Sequence, residues 1–365
     1  MSKATKIRES IKAQILNGEL LNGEQLLPLR QLAEIYNVSY LTMSHALDQL
    51  EQENLITRVH GRGVFINYTP AKFPSQKYRV LVIYHAGDAI TPLFLDKLLN
   101  FFCSRHAELT LFEISFLDRI LPKARAEKIS EYLNLPADLL IVDGSYYLPF
   151  KEIDKFRTNF KKIVFFNRYE SNLELTNAAK ILYDYKGAGL CVAKALLENN
   201  RKRVLYIAPN SKIRRSFPPF GPQETYHNCM REGLAEGLKD SGTVMQNLIT
   251  TPKKLLHDTE KIIDSFKPDA IFVFHDYAAA KIFHLLHKRN IKIGKQTDVI
   301  GCFDTPIGQA WLEPALSTIN FNADRMLKAL ENFLSAHEEN FKVMISPQLI
   351  RRDSMRSPKN ISTTE

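Results

Sequence analysis

Two groups of residues in this chain have the types and spacing to do chemistry, and both suit recognition rather than bond making. The first is Tyr40, Thr42, Ser44 and His45, which a helix would turn away from the apolar set Met43, Ala46, Leu47 and Leu50. Side chains of this kind suit base edges and phosphates. Five placed cations, Lys3, Lys6, Arg30, Arg58 and Arg62, accompany them, with Arg62 at the tip of His60-Gly61-Arg62-Gly63. The second group follows short apolar runs: Tyr84 and His85, Arg168, His275 and Asp276, and Asp304. Arginine offers a rigid fork of donors to hydroxyls or a carboxylate. Each aspartate can accept from two hydroxyls, while Tyr84 and His85 offer an aromatic wall and a hydrogen bond.

Each of these has a structural alternative. Asp276, like Asp184, can cap the helix that follows it. Arg168 can serve a salt bridge, and Asp304 a purely structural role. His85 and His275 stand equally as pocket residues or as satisfied structural histidines. The segment 210–225, NSKIRRSFPPFGPQET, has no period and holds three prolines. Its Arg214, Arg215, Phe217 and Phe220 form either a lid or a solvated loop. Trp311 is either packing or cleft wall.

Signals for catalysis or metal binding are poor. The chain lacks GxxxxGK[ST], GxGxxG after a strand, HExxH and GxSxG. His284 and His287 read as a solvated helix face rather than a metal site. No catalytic residue, metal or cofactor is expected.

The elements that must position the first group lie between residues 5 and 67. Lys6–Asn17 reads as a helix with Ile7, Ile11 and Ile15 at spacing four. A short helix over 29–35 follows. Ser39 is placed to cap the next helix, and β-prone runs at 55–59 and 64–66 flank a glycine turn. Helix-turn-helix plus a basic-tipped hairpin is a winged helix. These residues closely resemble the GntR family of bacterial transcription factors. Leu26-Leu27-Pro28-Leu29-Arg30-Gln31-Leu32-Ala33 stands for the family's Leu-Pro-Ser-x-Arg-x-Leu-Ala, and Val38-Ser39-Tyr40-Leu41-Thr42-Met43 for its Val-Ser-Arg-x-Thr-Val. Ala46-Leu47-Asp48-Gln49-Leu50 and Gly61-Arg62-Gly63-Val64-Phe65-Ile66 complete the match. Pro28 replaces a capping Ser, and Tyr40 stands where the family usually has a base-reading Arg. The resemblance implies a DNA reader with Tyr40, Thr42 and Ser44 at base edges and Ser39 among the DNA-binding residues. Lys6, Arg30, His60, Gly61 and Arg62 would lie near phosphates or the minor groove.

The second group needs a different scaffold. From Tyr78 onward, short apolar strands (79–84, 109–114, 138–142, 162–167, 180–183, 203–208, 269–274, 298–303) alternate with helices near 92–105, 123–133, 186–199, 224–240, 254–266 and 276–288. Strands apolar throughout imply parallel sheets buried on both faces, and this many imply two lobes. Ligands in such folds bind at the carboxyl ends of strands. The layout resembles the effector domain of the LacI/GalR family, itself similar to periplasmic sugar-binding proteins. It does so through Asn167-Arg168, Asp184-Tyr185-Lys186-Gly187-Ala188, His275-Asp276, Gly301-Cys302-Phe303-Asp304, Pro314–Ile319 and Pro347–Ser354. His275 stands where the family has a ligand-binding Asn. Met230 stands where the family usually keeps an effector-binding Arg, with Arg231 one step out of register. A GntR-type reader with a LacI-type sensor resembles the arabinose-repressor type of regulator.

The whole chain sets the bounds. At 365 residues it exceeds one winged helix. The formal charge of +9 is no nucleic-acid signal here: residues 1–67 carry seven Lys/Arg and seven Asp/Glu, so the excess lies downstream. Cys103, Cys191, Cys229 and Cys302 form no CxxC and read as small buried hydrophobes in a reducing cytoplasm. No apolar run has the length of a membrane helix, so no membrane association is expected. The expected architecture is an N-terminal winged helix-turn-helix (1–67), a linker (68–77), a two-lobed α/β domain with parallel sheets (78–354) and a flexible tail (355–365). The expected partners are a double-stranded DNA operator with two-fold-related half-sites, a small sugar-like effector and a second copy of the chain. Alternatives are a nucleoside or other non-sugar effector, or a small-metabolite enzyme fused to a DNA-targeting module.

Overall fold

Helix α1 (Lys3–Leu16) buries Ile7, Ile11, Ile15 and Leu16, the last three turns of one apolar face. These side chains close a core with α2 (Leu29–Ile35) and α3 (Tyr40–Gln52), joined by Leu26, Leu32, Met43, Ala46, Leu47, Leu50 and Ile56. The computed structural model describes residues 2–16, 19–68, 78–84, 90–114, 122–143, 155–167, 178–210, 226–335 and 341–356. The wing is β1 (Ile56–Val59) against β2 (Gly63–Ile66), antiparallel, with Val59 opposite Gly63. Its turn needs left-handed backbone at Gly61 (φ 71°) and Gly63 (φ 114°), which glycine adopts without a steric penalty.

The chain divides into two compact units. One holds Met1–Leu182 with Ala323–Ile345, the other Tyr183–Asn322 with Ser346–Glu365. The first unit therefore contains the winged helix together with a six-stranded sheet in the order β13-β7-β6-β5-β3-β4. Its strands are β3 (Arg79–Tyr84), β4 (Glu108–Glu113), β5 (Leu139–Asp143), β6 (Lys162–Asn167), β7 (Ala178–Tyr183) and β13 (Lys342–Ile345). The pairs β3–β4, β3–β5, β5–β6 and β6–β7 are parallel, as expected for strands apolar throughout. Helices α4 (Ile90–Cys103) and α5 (Pro122–Leu133) belong to the same unit.

The second sheet runs β14-β12-β11-β10-β8-β9. It comprises β8 (Arg203–Pro209), β9 (Val244–Thr250), β10 (Ala270–Val273), β11 (Asp298–Cys302), β12 (Ser317–Asn320) and β14 (Gln348–Ile350). All of its pairings are parallel except β12 with β14. Its core joins Leu205, Ile207, Ile271 and Val273 to apolar faces of α8 (Leu255–Phe266) and α9 (Asp276–Lys288). On its other side α6 (Tyr185–Glu198) crosses α7 (Tyr226–Leu238) at backbone contact distance. A Cβ on Gly189 would meet the Met230 carbonyl, and one on Gly233 the Lys186 carbonyl. Chain order reverses between β8 and β10, which makes their carboxyl ends the crevice of this sheet.

Several elements depart from the sequence expectations. Strands β9, β12, β13 and β14 and helix α11 (Ala323–Ser335) were not anticipated. Strand β9 is a sheet edge whose polar Gln246 and Asn247 break the apolar run. Helix α11 belongs to the first unit and meets the winged helix there. The Asn332 amide donates to the Leu16 carbonyl, and Arg325 pairs with Glu19 at 3.1 Å. Cys302 is buried, but Cys103 is exposed rather than a core hydrophobe. No described helix is long and apolar enough to cross a membrane. The linker from residue 69 and the tail from residue 357 lie outside the described residues.

Candidate functional site

The reader surface starts at Ser39, whose Oγ accepts from the Thr42 N–H at 3.2 Å and so caps α3. The same hydroxyl shares a 2.9 Å hydrogen bond with Thr42 Oγ1. Thr42 and Ser44 are half-buried, whereas Tyr40, Leu41 and His45 are exposed. Arg58 departs from its expected role. It pairs with Asp48 at 2.6 Å and Glu51 at 3.2 Å, and so neutralises the two acids on the far half of α3. Arg8 and Lys12 likewise hold Glu53, at 3.0 and 2.9 Å. Among the described residues, Lys3, Lys6, Arg30 and Arg62 carry no ion-pair partner, and all are exposed. A domain of zero formal charge thus leaves four cations without an acid partner among the described residues by pairing most of its acids with other cations. The Gln25 amide donates to the Arg62 carbonyl at 2.7 Å and steadies the wing tip.

The second candidate site gathers at the carboxyl ends of the second sheet. Phe274, Phe303 and Phe321 each stand directly after a strand, β10, β11 and β12. Their rings form a continuous chain with two histidines and with tyrosines from the flanking helices. His275 lies 5.2 Å from Phe303 and 5.3 Å from Tyr277, Phe303 lies 5.7 Å from Phe321, and Phe274 lies 5.3 Å from His227. Phe303 reaches this position with φ 92° and is followed by Asp304 at φ 49°, two consecutive left-handed residues that only tight surroundings can hold.

His275 is 6% exposed and caps α9: its Nδ1 accepts the Tyr277 N–H at 3.2 Å. Burial pushes its pKa down to about 4, so the ring is neutral at pH 7. With Nδ1 accepting, the proton sits on Nε2, a buried donor with no partner among the described residues. Asp276 is fully buried. Its Oδ2 accepts the Thr305 N–H at 2.6 Å and hydroxyl at 3.1 Å, and its Oδ1 accepts the Thr318 hydroxyl at 2.7 Å. Burial raises its pKa to about 6, against the opposing effect of these bonds. Gly301 and Gly308 leave the room it occupies. Asp304 accepts from Arg352 at 2.7 Å and from Asn320 at 2.9 Å.

The comparisons with known proteins follow this division. Residues 3–66 match the model of the bacterial regulatory proteins of the gntR family, and residues 193–355 match the periplasmic binding protein-like domain. The chain joins a GntR-type DNA-binding domain to a periplasmic-binding-protein-like domain. It is 22% identical, over 98% of both chains, to the arabinose metabolism transcriptional repressor of Halalkalibacterium halodurans. It is 40% identical over 62 residues to the HTH-type transcriptional repressor NagR of Bacillus subtilis, which is 17% of this chain and spans about a quarter (26%) of that relative. In fold it resembles the lac repressor dimer bound to operator and the anti-inducer ONPF, with TM-score 0.59, 13% identity, and coverage of 77% of this chain and 95% of that one.

In the GntR-type domain, Lys6, Arg30, Tyr40, His60, Gly61 and Arg62 are exposed, as are Ser39 and its cap. In the periplasmic-binding-protein-like domain the structure brings His275, Asp276 and Asp304 to one sheet end but gives them different surroundings. Asp276 is a buried tie between α9, α10 (Pro306–Ala310) and β12, and the cap of α9 is His275 instead. Asp184 does cap its helix, accepting the Gly187 N–H at 2.8 Å. Tyr84 ends β3 in the first unit, half-buried. His85, Arg168, Arg214 and Phe220 lie outside the described residues. Met230 is fully buried against Cys302, with its sulfur 3.8 Å from Sγ. Trp311 is exposed. Sequence reasoning missed Phe303, Phe321, Tyr226 and Tyr277. For Phe303 the available signal was an aromatic residue immediately after an apolar strand, as Phe274 is after β10.

Proposed function

We propose that this chain is a ligand-responsive transcriptional repressor of genes for carbohydrate use, acting as a homodimer on operators with two-fold-related half-sites. The observation that carries the reading is the coexistence, in one chain, of a reader with four cations unpaired among the described residues and a sheet end with an aromatic wall and the buried His275 donor. The whole-chain relative named as a repressor of arabinose metabolism supports the sugar, and the lac repressor dimer on operator supports the dimer. Aromatic faces suit the apolar faces of sugar rings, and His275 Nε2–H would donate to a ring or hydroxyl oxygen. Tyr84, His85, Arg168, Arg214, Phe220 and Asp304 complete the proposed ligand contacts. Ligand-driven closure of the lobes would change operator affinity because the open and closed states bind ligand differently.

A non-sugar ligand such as a nucleoside is the second reading. It is favoured by Met230, a core residue where the related sensors keep an effector-binding Arg, and by aromatic rings suited to a flat base. Thermal stability across pentoses, hexoses, sugar acids and nucleosides decides between them. Ligand at about 100 times Kd adds roughly 2.7 kcal/mol, a visible shift. A nucleoside hit with silent sugars would overturn the sugar reading, and silence throughout would overturn both.

A further inference from the structure

Helix α3, YLTMSHALDQLEQ, contains no lysine or arginine. The commonest specific base contact, Arg or Lys to guanine O6 and N7, is therefore closed to it. What the first turn offers instead is apolar. Leu41 is 69% exposed and Tyr40 58%, and the Thr42 hydroxyl beside them is engaged by Ser39. Exposed large apolar side chains at the start of a recognition helix are costly in water and have a natural partner in the major groove, the C5-methyl of thymine. The charges around them fit a nucleic acid. Arg30 and Arg62 have no acid partner among the described residues, and Arg58 neutralises Asp48 and Glu51 further along the helix.

We propose that Tyr40 and Leu41 read thymine methyl groups, so that A·T pairs, not guanines, fix the positions of each half-site contacted by the first turn of α3. This rests on the DNA-reader reading above. His45, one turn on and exposed, would add a hydrogen bond to the neighbouring step.

The test is selection of bound duplexes from a random pool by the full-length chain. Thymines in the enriched half-site are then replaced one at a time by deoxyuridine, which lacks the methyl. Wild type should lose about fourfold in affinity at one or two thymines, the worth of one buried methyl group. Leu41→Ala, or Tyr40→Ala at the adjacent base, should bind more weakly and no longer distinguish thymine from uracil there. Both residues are exposed, so the variants should melt with wild type. Enrichment of G·C-defined half-sites, with wild type indifferent to deoxyuridine throughout, would overturn the proposal while leaving the DNA reader standing. Enriched sites that Leu41→Ala binds normally, with self-association lost instead, would reassign these side chains to a contact between copies. No enriched sequence at all would overturn the DNA reader itself.

Discussion

His275 and Asp276 are adjacent, buried at the same sheet end, and pushed by the same physical cause in opposite directions. Desolvation disfavours the charged form of each, lowering His275 to about 4 and raising Asp276 to about 6. Asp276 holds its proton more tightly folded than unfolded, where it titrates at 3.8. The stability it contributes is complete below 3.8 and is lost as pH rises through about 6. Lowering the pH from 7 to 5 should therefore stabilise the fold by about 1 kcal/mol through this group. His275 is the reverse. It is neutral when folded but protonates near 6.5 when unfolded, so its contribution is complete above 6.5 and is lost as pH falls towards 4. Over the same pH change it should cost about 2 kcal/mol. In wild type the two largely cancel, and only substitutions separate them. Asn at 276 can still accept from Thr305, and Asn at 275 can still cap α9, so both variants should fold. Urea unfolding followed by circular dichroism at pH 5, 6 and 7 gives the difference from wild type. Relative to wild type, Asp276→Asn should lose ground as pH falls, and His275→Asn should gain it. Flat difference curves, or two curves sloping the same way, would refute the assignment of burial as the dominant cause.

Other substitutions probe the remaining supports. Ser39→Ala removes the cap of α3 and should cost about 1 kcal/mol in urea unfolding of the reader, with weaker DNA binding. Asp298→Ala would strand the buried Arg201, which Asp298 holds together with the Asn199 amide and the Arg356 N–H. A loss of about 3–5 kcal/mol should appear as a large fall in melting temperature. Gly233→Ala would press a methyl on the Lys186 carbonyl and force α6 and α7 apart, for about 1–3 kcal/mol by the same assay.

Helix α2, strand β3 and strand β6 match their sequence ranges because their signals are local: an apolar period bounded by Pro28 and Asn37, and uninterrupted β-branched and aromatic runs. Strand β12 was illegible for the opposite reason. Ser317 and Thr318 look like loop residues, yet both are fully buried. Their hydroxyls are satisfied by the Arg352 carbonyl and by Asp276, partners remote in sequence. The apolar period of α11, at Met326, Ala329, Leu330 and Phe333, was available to be read, but its place beside the winged helix was not. At the candidate sites the sequence identified residues at strand ends without their partners. It could not show that Arg58 is tied to Asp48, that His275 rather than Asp276 caps α9, or that Asp276 has no exposed atom to offer a ligand. Charge pairing, capping and burial are set by the fold.

In the proposed function one chain couples DNA reading to a small ligand. Fluorescence anisotropy of labelled duplexes from the region upstream of the chain's own gene, titrated with full-length protein at fixed salt, tests it directly when repeated with each compound of the ligand panel. The expected result is sequence-specific binding whose apparent Kd shifts several-fold with at least one sugar, and a smaller shift for His275→Ala. Binding no tighter than to scrambled duplex, or specific binding unmoved by every compound, would contradict it.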